Sequence, residues 1–573
     1  MNAVAREVKL DSQSSTKGFT ILSAASIINK LLGVLYVPIL TLILGNLGNA
    51  FYNAGYTIYQ LVFMVTNAGI PVAISKLISE QMASERHDAA YRTLKISSVL
   101  LISIGTVTSI LTAVFARQLS ALVGWPESFL TILALSPTML FTAISCTFRG
   151  YFQGRSNMVP TSISQIIEQA VNTTLTIAFA WFMYRYGKNA ALAQGITDES
   201  AINVEAVKYA AAGGTVGTSL GALASALYLC RTYFKNKAAI LIELAQSVKG
   251  DRIKYTTKNI VKKIFQYSIP ITLGSVAIYT ANLIDLSFTK TRLIASGFSI
   301  NEASELYGIF STQYLKVLFI PVTIATALAT TILPSISAAA ARNDKIQLRR
   351  RITKSIKTIL MISIPGAVGM AVMAKPIVNI LFPTAPDGWD LLMMGSWTLV
   401  LISVVSIQTA ILQGLGKTYI PTVHLVIGLA LKLFTNYNLI SIKQVNIKGA
   451  LIGSAVCYIF ACIMNYRSIK KYAGIKLNMK QLFNRPLSVS IIMGLVVMLV
   501  YNGLELIFEV IVKSVFFRSI ICGGISICIG AFVYYLLMIV AKGINADDIR
   551  GLPMGGRILA FTKKVPYMEK FLS

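Results

Sequence analysis

The sequence predicts an all-α, polytopic membrane protein. The expected architecture is about fourteen transmembrane helices, in two six-helix lobes related by a parallel repeat, plus two extra C-terminal helices. Three observations carry this. The 573 residues are 55% hydrophobic and 13% charged, with a mean hydropathy of +0.67. A soluble chain would carry about twice that charged fraction. Apolar runs of about 20 residues, long enough to cross a bilayer, recur along the whole length. Two sequence motifs also recur at an offset near 260 residues. Backbone groups in lipid must be satisfied internally, so each apolar run is read as a helix.

The elements follow in order. Residues 1–17 are polar, with no apolar core or cleavage site of a signal peptide, and are expected to form a cytoplasmic tail. Spans are expected at 18–44, 52–78, 93–115, 129–150, 160–186 and 207–231, which together make an N-lobe over 18–231. A basic linker, 232–263, leads to a C-lobe over 264–466, with spans at 264–288, 306–334, 355–374, 389–413, 419–440 and 447–466. A basic loop and spans 486–508 and 516–541 occupy 467–541, and 542–573 is a second tail. The formal net charge of +29 gathers in alternate loops: Lys235 to Lys263, Arg342 to Lys354, Arg467 to Arg485, and the C-terminal tail. Loop 45–51 has no lysine or arginine, and 375–388 has only Lys375. The positive-inside rule then puts both termini in the cytoplasm, as an even span count requires. Charge spread round one rim, with no recognisable nucleic-acid module, points to anionic lipid headgroups as partner and not to nucleic acid. All six cysteines fall in apolar runs, where they read as small buried side chains, with no metal-ligand context and no disulfide loop.

The repeat aligns two pairs of helix ends. GIPVAISKLISEQ around Pro71 and Ser75 corresponds to TILPSISAAAARND around Pro334 and Ser337. GYFQGRSNMVPTS corresponds to AILQGLGKTYIPTV, so Gln153, Gly154, Pro160 and Thr161 match Gln413, Gly414, Pro421 and Thr422. Six spans separate the copies, so both halves have the same orientation, as in transporters that hold substrate between halves near the midplane. Pro38, Pro71, Pro137, Pro270, Pro321 and Pro365 are candidate kinks.

Charges at bilayer depth mark candidate function. Lys30, Lys316 and Lys432 all lie within apolar runs, which suggests a cavity that receives an anion. Polar stripes at helical spacing accompany them: Tyr56 and Gln60 in span two, Glu168 in span five, Asp285 in span seven, Gln313 in span eight and Asn436 in span eleven. Such stripes either line a cavity or glue helices together. Glu168 and Asp285 are read as ion-pair partners of the lysines or as a proton or cation site, and His424 as an interface residue.

The run INKLLGVLYVPILTLILGNLGNAFYNAGYTIYQLVFMVTNAGIPVAISKLISEQ and the later LYGIFSTQYLKVLFIPVTIATALATTILPSIS resemble the MurJ and stage V sporulation protein B type of flippase. That family lies within the multidrug/oligosaccharidyl-lipid/polysaccharide exporter superfamily. The resemblance covers spans 1–12. It implies two six-helix lobes around a cavity for the pyrophosphate of a polyprenyl-linked sugar, moved outward by alternating access in the bacterial cytoplasmic membrane. It also implies an essential cation at Lys30, before Leu31, Leu32 and Gly33, and another at Lys316, five residues before Pro321. Two further family arginines would fall near Tyr36 and Met64, where this chain has no charge. The sodium site of some members maps loosely onto Asp285 and Asn436, with Lys432 one turn away in the place of the cation.

Two lysines could clamp a dianionic pyrophosphate as point charges. No GxxxxGK[ST] loop is present, so direct ATP drive is not expected, and neither is a cofactor, a metal centre or an enzyme activity. The competing readings are a cation-coupled (Na+ or H+) multidrug exporter, in which acids should dominate the cavity, and a membrane glycan polymerase, which needs catalytic acids outside. Asp198 with Glu199 and Asp387 with Asp390 are the outside acid clusters, and both read as solvated loop residues.

Overall fold

A computed structural model describes residues 15–67, 69–245, 256–342, 344–475, 478–541 and 543–544. Among them the regular structure is helical throughout. The expectations for 1–14, most of the 232–263 linker's basic centre and 545–573 lie outside the described residues.

α1 (Ser15–Asn67) carries the first two expected spans in one element, broken at Gly45 (φ 60°, ψ −168°). That conformation suits only glycine. Asn49 is fully buried and donates to the Gly45 carbonyl (2.8 Å) and to Thr41 Oγ1 (3.0 Å), so the break leaves less unsatisfied backbone. α2 (Ile70–Ala83) starts with Pro71 in its first turn, where the missing N–H has no intrahelical acceptor, so Pro71 opens a helix instead of kinking one. α3 (His87–Val114), α4 (Ala116–Leu122), a 3-10 turn (Pro126–Ser128), α5 (Phe129–Gly154) and α6 (Val159–Ala193) follow. α7 (Glu199–Lys235) is N-capped by Asp198, whose carboxylate accepts from Ala201 N. It packs on α6 through glycines: a Cβ at Gly217 would strike Thr176, and one at Gly221 would strike the Glu168 carbonyl. Small residues at helix crossings replace the hydrophobic drive that lipid removes. α8 (Lys237–Ala245), α9 (Thr257–Ala295) and α10 (Ile300–Ile309) come next.

A π-helical segment, Phe310–Lys316, joins α10 to α11 (Val317–Ala341). Then come α12 (Lys345–Val372), α13 (Ala374–Leu381), α14 (Trp389–Gly395), α15 (Thr398–Gly414), α16 (Tyr419–Leu439) and α17 (Lys448–Ala473). α18 (Met479–Ile511) and α19 (Val515–Val540) are the two extra helices, packed through Val497, Tyr501 and Cys522. Among the described residues the fourteen expected spans fall on helix, interrupted at Gly69 in the second and at 396–397 in the tenth. By length and apolarity, ten helical stretches among the described residues can cross a membrane, or eleven if α14 and α15, bent by 45°, form one span. Part of the difference has a physical source: α1 with α2 counts once, and α6 carries polar residues that lower its hydropathy. The six cysteines are unbridged, and Cys146, Cys457 and Cys522 are buried as expected, but Cys528 is exposed on α19.

The chain divides into two compact units, 1–291 with 299–308, and 292–298 with 309–573. α9 up to Thr291 therefore belongs to the first unit, whereas its sequence register had placed it in the C-lobe. Its ties there are specific: Trp125 Nε1 donates to the Leu286 carbonyl at 2.9 Å, Lys290 pairs with Glu127 at 3.0 Å, and Gly69 lets the Ser268 backbone approach closely.

The repeat has a packing basis inside each unit. In the first, a Cβ on Gly154 would meet Ile78 at 2.8 Å and the Ser75 carbonyl at 2.8 Å. In the second, a Cβ on Gly414 would meet Ile336 at 2.8 Å and the Leu333 carbonyl at 3.2 Å. The same glycine, at the same helix end, admits the same neighbouring helix twice.

Candidate functional site

In the first unit the polar face of α6 meets a cation that the sequence reading had passed over. Arg149, near the end of α5, donates from Nη2 to Glu168 Oε2 at 2.6 Å and to Ser225 Oγ at 2.8 Å, and from Nε to Ser164 Oγ at 3.0 Å. One guanidinium thus ties α5, α6 and α7. Its planar fork suits several fixed acceptors better than an ammonium would. Glu168 is therefore the partner of Arg149. No short-range pattern announces this, because the partners stand 19 and 76 residues away on other helices.

The expected stripe on the second half of α1 is present. Tyr52 and Tyr56 stack at 5.8 Å, Tyr56 and Tyr59 lie 5.6 Å apart, and Tyr59 reaches Phe63 at 5.9 Å. Tyr59 is buried against Leu135 and Met139, while Tyr56 and Gln60 are half-buried. Tyr52 shares side-chain hydrogen bonds with Tyr36 and Thr218, and Glu168 lies within electrostatic reach of Tyr56 and Tyr59. The aromatic stripe and the Arg149 network thus form one polar region of this unit. Lys30 lies on α1, one turn before Gly33, whose Cβ position is 3.5 Å from Gln169 Nε2 on α6. Its side chain falls outside the described residues.

A second polar knot closes the other end of this unit. Lys290 is buried, with Nζ 3.2 and 3.0 Å from the two Glu127 oxygens and 4.4 Å from the Trp125 ring centre. The Trp125 ring lies 4.9 Å from the Tyr307 ring, tilted by 49°. Asp285, only 1% exposed, lies within electrostatic reach of Tyr307. This knot was also missed, because its members come from a turn and two helices far apart in sequence.

In the second unit, Gln313 and Tyr314 lie in the π-helical segment that Lys316 ends. The Gln313 amide donates to the Ala385 carbonyl at 2.7 Å and accepts from Gly388 N at 2.7 Å, so it pins the 385–388 loop. The Tyr314 hydroxyl bonds Thr398 at 2.8 Å, and its ring packs directly over Gly395. π-Helical turns are rare and concentrate at functional positions. Lys432 is 3% exposed and Asn436 fully buried, on the face of α16 that meets α17. Gly453 provides the room for Asn436 Oδ1. His424 is buried, with Nδ1 2.8 Å from Asn465 Oδ1. Asp285 and Asn436, the loose sodium-site matches, belong to different units. Among the described residues no group of three His, Cys, Asp or Glu could hold a metal.

The family model described as polysaccharide biosynthesis protein matches residues 15–340. The chain belongs to that family. It is 27% identical to the lipid II flippase MurJ of Bacillus subtilis (strain 168) over 84% of this chain and 88% of that one. It is 24% identical to stage V sporulation protein B of the same organism, over 96% and 99% of the two chains. The fold is similar to that of a lipid II flippase MurJ solved in an inward closed conformation, with a TM-score of 0.61, 15% identity, and coverage of 91% of this chain and 98% of that one. With ten or eleven helical stretches able to cross a membrane among the described residues, this member of the family is a multi-pass helical membrane protein.

Proposed function

We propose that this protein moves a polyprenyl-pyrophosphate-linked glycan, such as lipid II or another polysaccharide precursor, from the inner to the outer leaflet. The two halves that carry the sequence repeat act as the lobes of an alternating-access cycle, with both termini in the cytoplasm. Lys30, Lys316 and Lys432 supply the positive charge that meets the pyrophosphate, and the Tyr56, Gln60 and Gln313 positions border its path.

The observation that carries this reading is the commitment of Glu168 to Arg149. A cation exporter needs intramembrane carboxylates to receive its substrate, and the acid of α6 is already neutralised by a guanidinium. The lysines of α1, the π-helical segment and α16 then set the sign of the charge at bilayer depth. Ammonium groups bind phosphate as point charges. An inside-negative potential assists outward movement of an anion by about 2.3 kcal/mol per charge per 100 mV. The buried Asp285 keeps a second reading in play, an exporter coupled to Na+ or H+. Proteoliposomes decide between them: flipping of fluorescent lipid II that needs no sodium gradient supports the anion carrier. Sodium-driven efflux of a cationic drug without lipid flipping refutes it.

A further inference from the structure

The first unit carries a cation that the three lysines of the proposed path do not include. Arg149 sits five residues before Gly154, the last residue of α5, so it lies about 8 Å along the helix from that end. With both termini in the cytoplasm, the span that ends at Gly154 ends at the inner face. A pyrophosphate on a lipid of the inner leaflet therefore reaches the depth of Arg149 before that of Lys30, in the middle of the first expected span.

The guanidinium is anchored so that it can hold a second anion. Nε donates to Ser164 Oγ and Nη2 to Ser225 Oγ, and both serines are fully buried. Ser164 spends its own proton on the Thr161 carbonyl at 2.7 Å, so it faces Arg149 as an acceptor. These two neutral anchors fix the guanidinium plane wherever the Glu168 carboxylate goes. Glu168 is the looser partner, with its side chain 31% exposed against 16% for Arg149. Its backbone is held, because Gly221 of α7 packs on the Glu168 carbonyl, so the movable part is the carboxylate. Tying the three helices uses only Nε and Nη2; among the described residues the other terminal nitrogen, Nη1, carries no bond. Its two N–H groups lie in the guanidinium plane, in the fork geometry that fits a phosphate. Tyr56 lies within electrostatic reach of Glu168, so the pair borders the aromatic stripe of α1. A phosphate held at Nη1 keeps the carboxylate close by. Two anions on one cation repel each other, which weakens the hold and lets the ligand leave.

We infer that Arg149 is a substrate-binding residue at the inner leaflet: its Nη1 edge receives a phosphate of the entering lipid, and Glu168 limits the strength of that hold. The identity of the lipid rests on the flippase reading. An anionic phospholipid headgroup offers the same oxygen chemistry, and the test separates the two.

The full chain is placed in nanodiscs, where binding of polyprenyl pyrophosphate and of phosphatidylglycerol is titrated. In proteoliposomes, initial rates of lipid II flipping are measured against lipid II content, giving an apparent KM and a maximal rate. The variants are Glu168→Gln and Arg149→Gln/Glu168→Gln, and Lys235→Gln is a control that removes one cation from an exposed position of the same unit. Unfolding in mixed micelles reports which variants are folded. In Glu168→Gln, polyprenyl pyrophosphate should bind about threefold tighter or more, with a lower apparent KM and a lower maximal rate. In the folded double variant it should bind at least about tenfold more weakly, with the control unchanged. A pair that only ties helices gives other signs. Glu168→Gln then binds no better than the wild type, and the double variant, uncharged but with an amide at each position, binds and flips like it; either result overturns the inference. The expected pattern with phosphatidylglycerol alone makes the ligand a bulk-lipid headgroup and overturns the substrate role. The expected binding pattern without flipping by the wild-type chain retains the site and removes the flippase reading. Flipping by the wild type with an apparent KM shared by every variant does the reverse.

Discussion

Arg149 and Glu168 provide a prediction whose size follows from their setting. Their side chains are 16% and 31% exposed, between a surface pair and a fully buried one. Exposed pairs contribute about 0.2–1 kcal/mol. Removing one partner of a buried pair costs about 3–5 kcal/mol. Arg149→Met also forfeits the bonds to Ser164 and Ser225, so it should destabilise by about 3 kcal/mol. Glu168→Gln keeps an acceptor but removes the charge, and should cost about 1–2 kcal/mol. The double variant should be less destabilised than the sum, by a coupling of about 1–2 kcal/mol. Equilibrium unfolding in mixed micelles reads all four corners of the cycle, and lipid II flipping is measured in parallel. Additive costs to within about 0.5 kcal/mol would refute the pairing. Full stability of Glu168→Gln with complete loss of flipping would make Glu168 a coupling acid and not the partner of Arg149.

Four further outcomes are expected. Lys30→Ala and Lys316→Ala should each abolish complementation of a flippase-depleted strain at normal protein levels, and full growth with both removed contradicts the anion carrier. Gly154→Ala and Gly414→Ala should cost similar amounts, about 1–3 kcal/mol each, because each intrudes on the equivalent neighbour; a large cost in only one half would break the packing equivalence. Gln313→Ala should cost about 1–3 kcal/mol by leaving the buried Gly388 N–H without its acceptor, read as earlier proteolysis of the 385–388 loop. Glu127→Gln should loosen α9, measured as faster hydrogen exchange around Leu286, since Lys290 loses the carboxylate that compensates its burial.

The helices were legible because lipid imposes one rule on every span, and apolar length reports it directly. The repeat was legible because Gly154 and Gly414 answer a steric demand that keeps the residue type fixed. The π-helical segment was not legible: its residues are ordinary helix formers, and the departure is held by Gln313 and Tyr314 reaching residues 72 to 84 positions away. Arg149 was hidden for a related reason, since its partners Glu168 and Ser225 stand on other helices far along the chain. α9 shows the limit of the repeat as a guide. Sequence register assigns it to the C-lobe, while Trp125 and Glu127 hold it in the first unit.

The most direct test of the central claim is flipping of fluorescent lipid II by the purified chain in proteoliposomes, under an imposed inside-negative potential and without sodium. The account predicts flipping that rises with the potential and disappears in the Lys30→Ala/Lys316→Ala variant. Flipping that ignores the potential and survives loss of both lysines would contradict it.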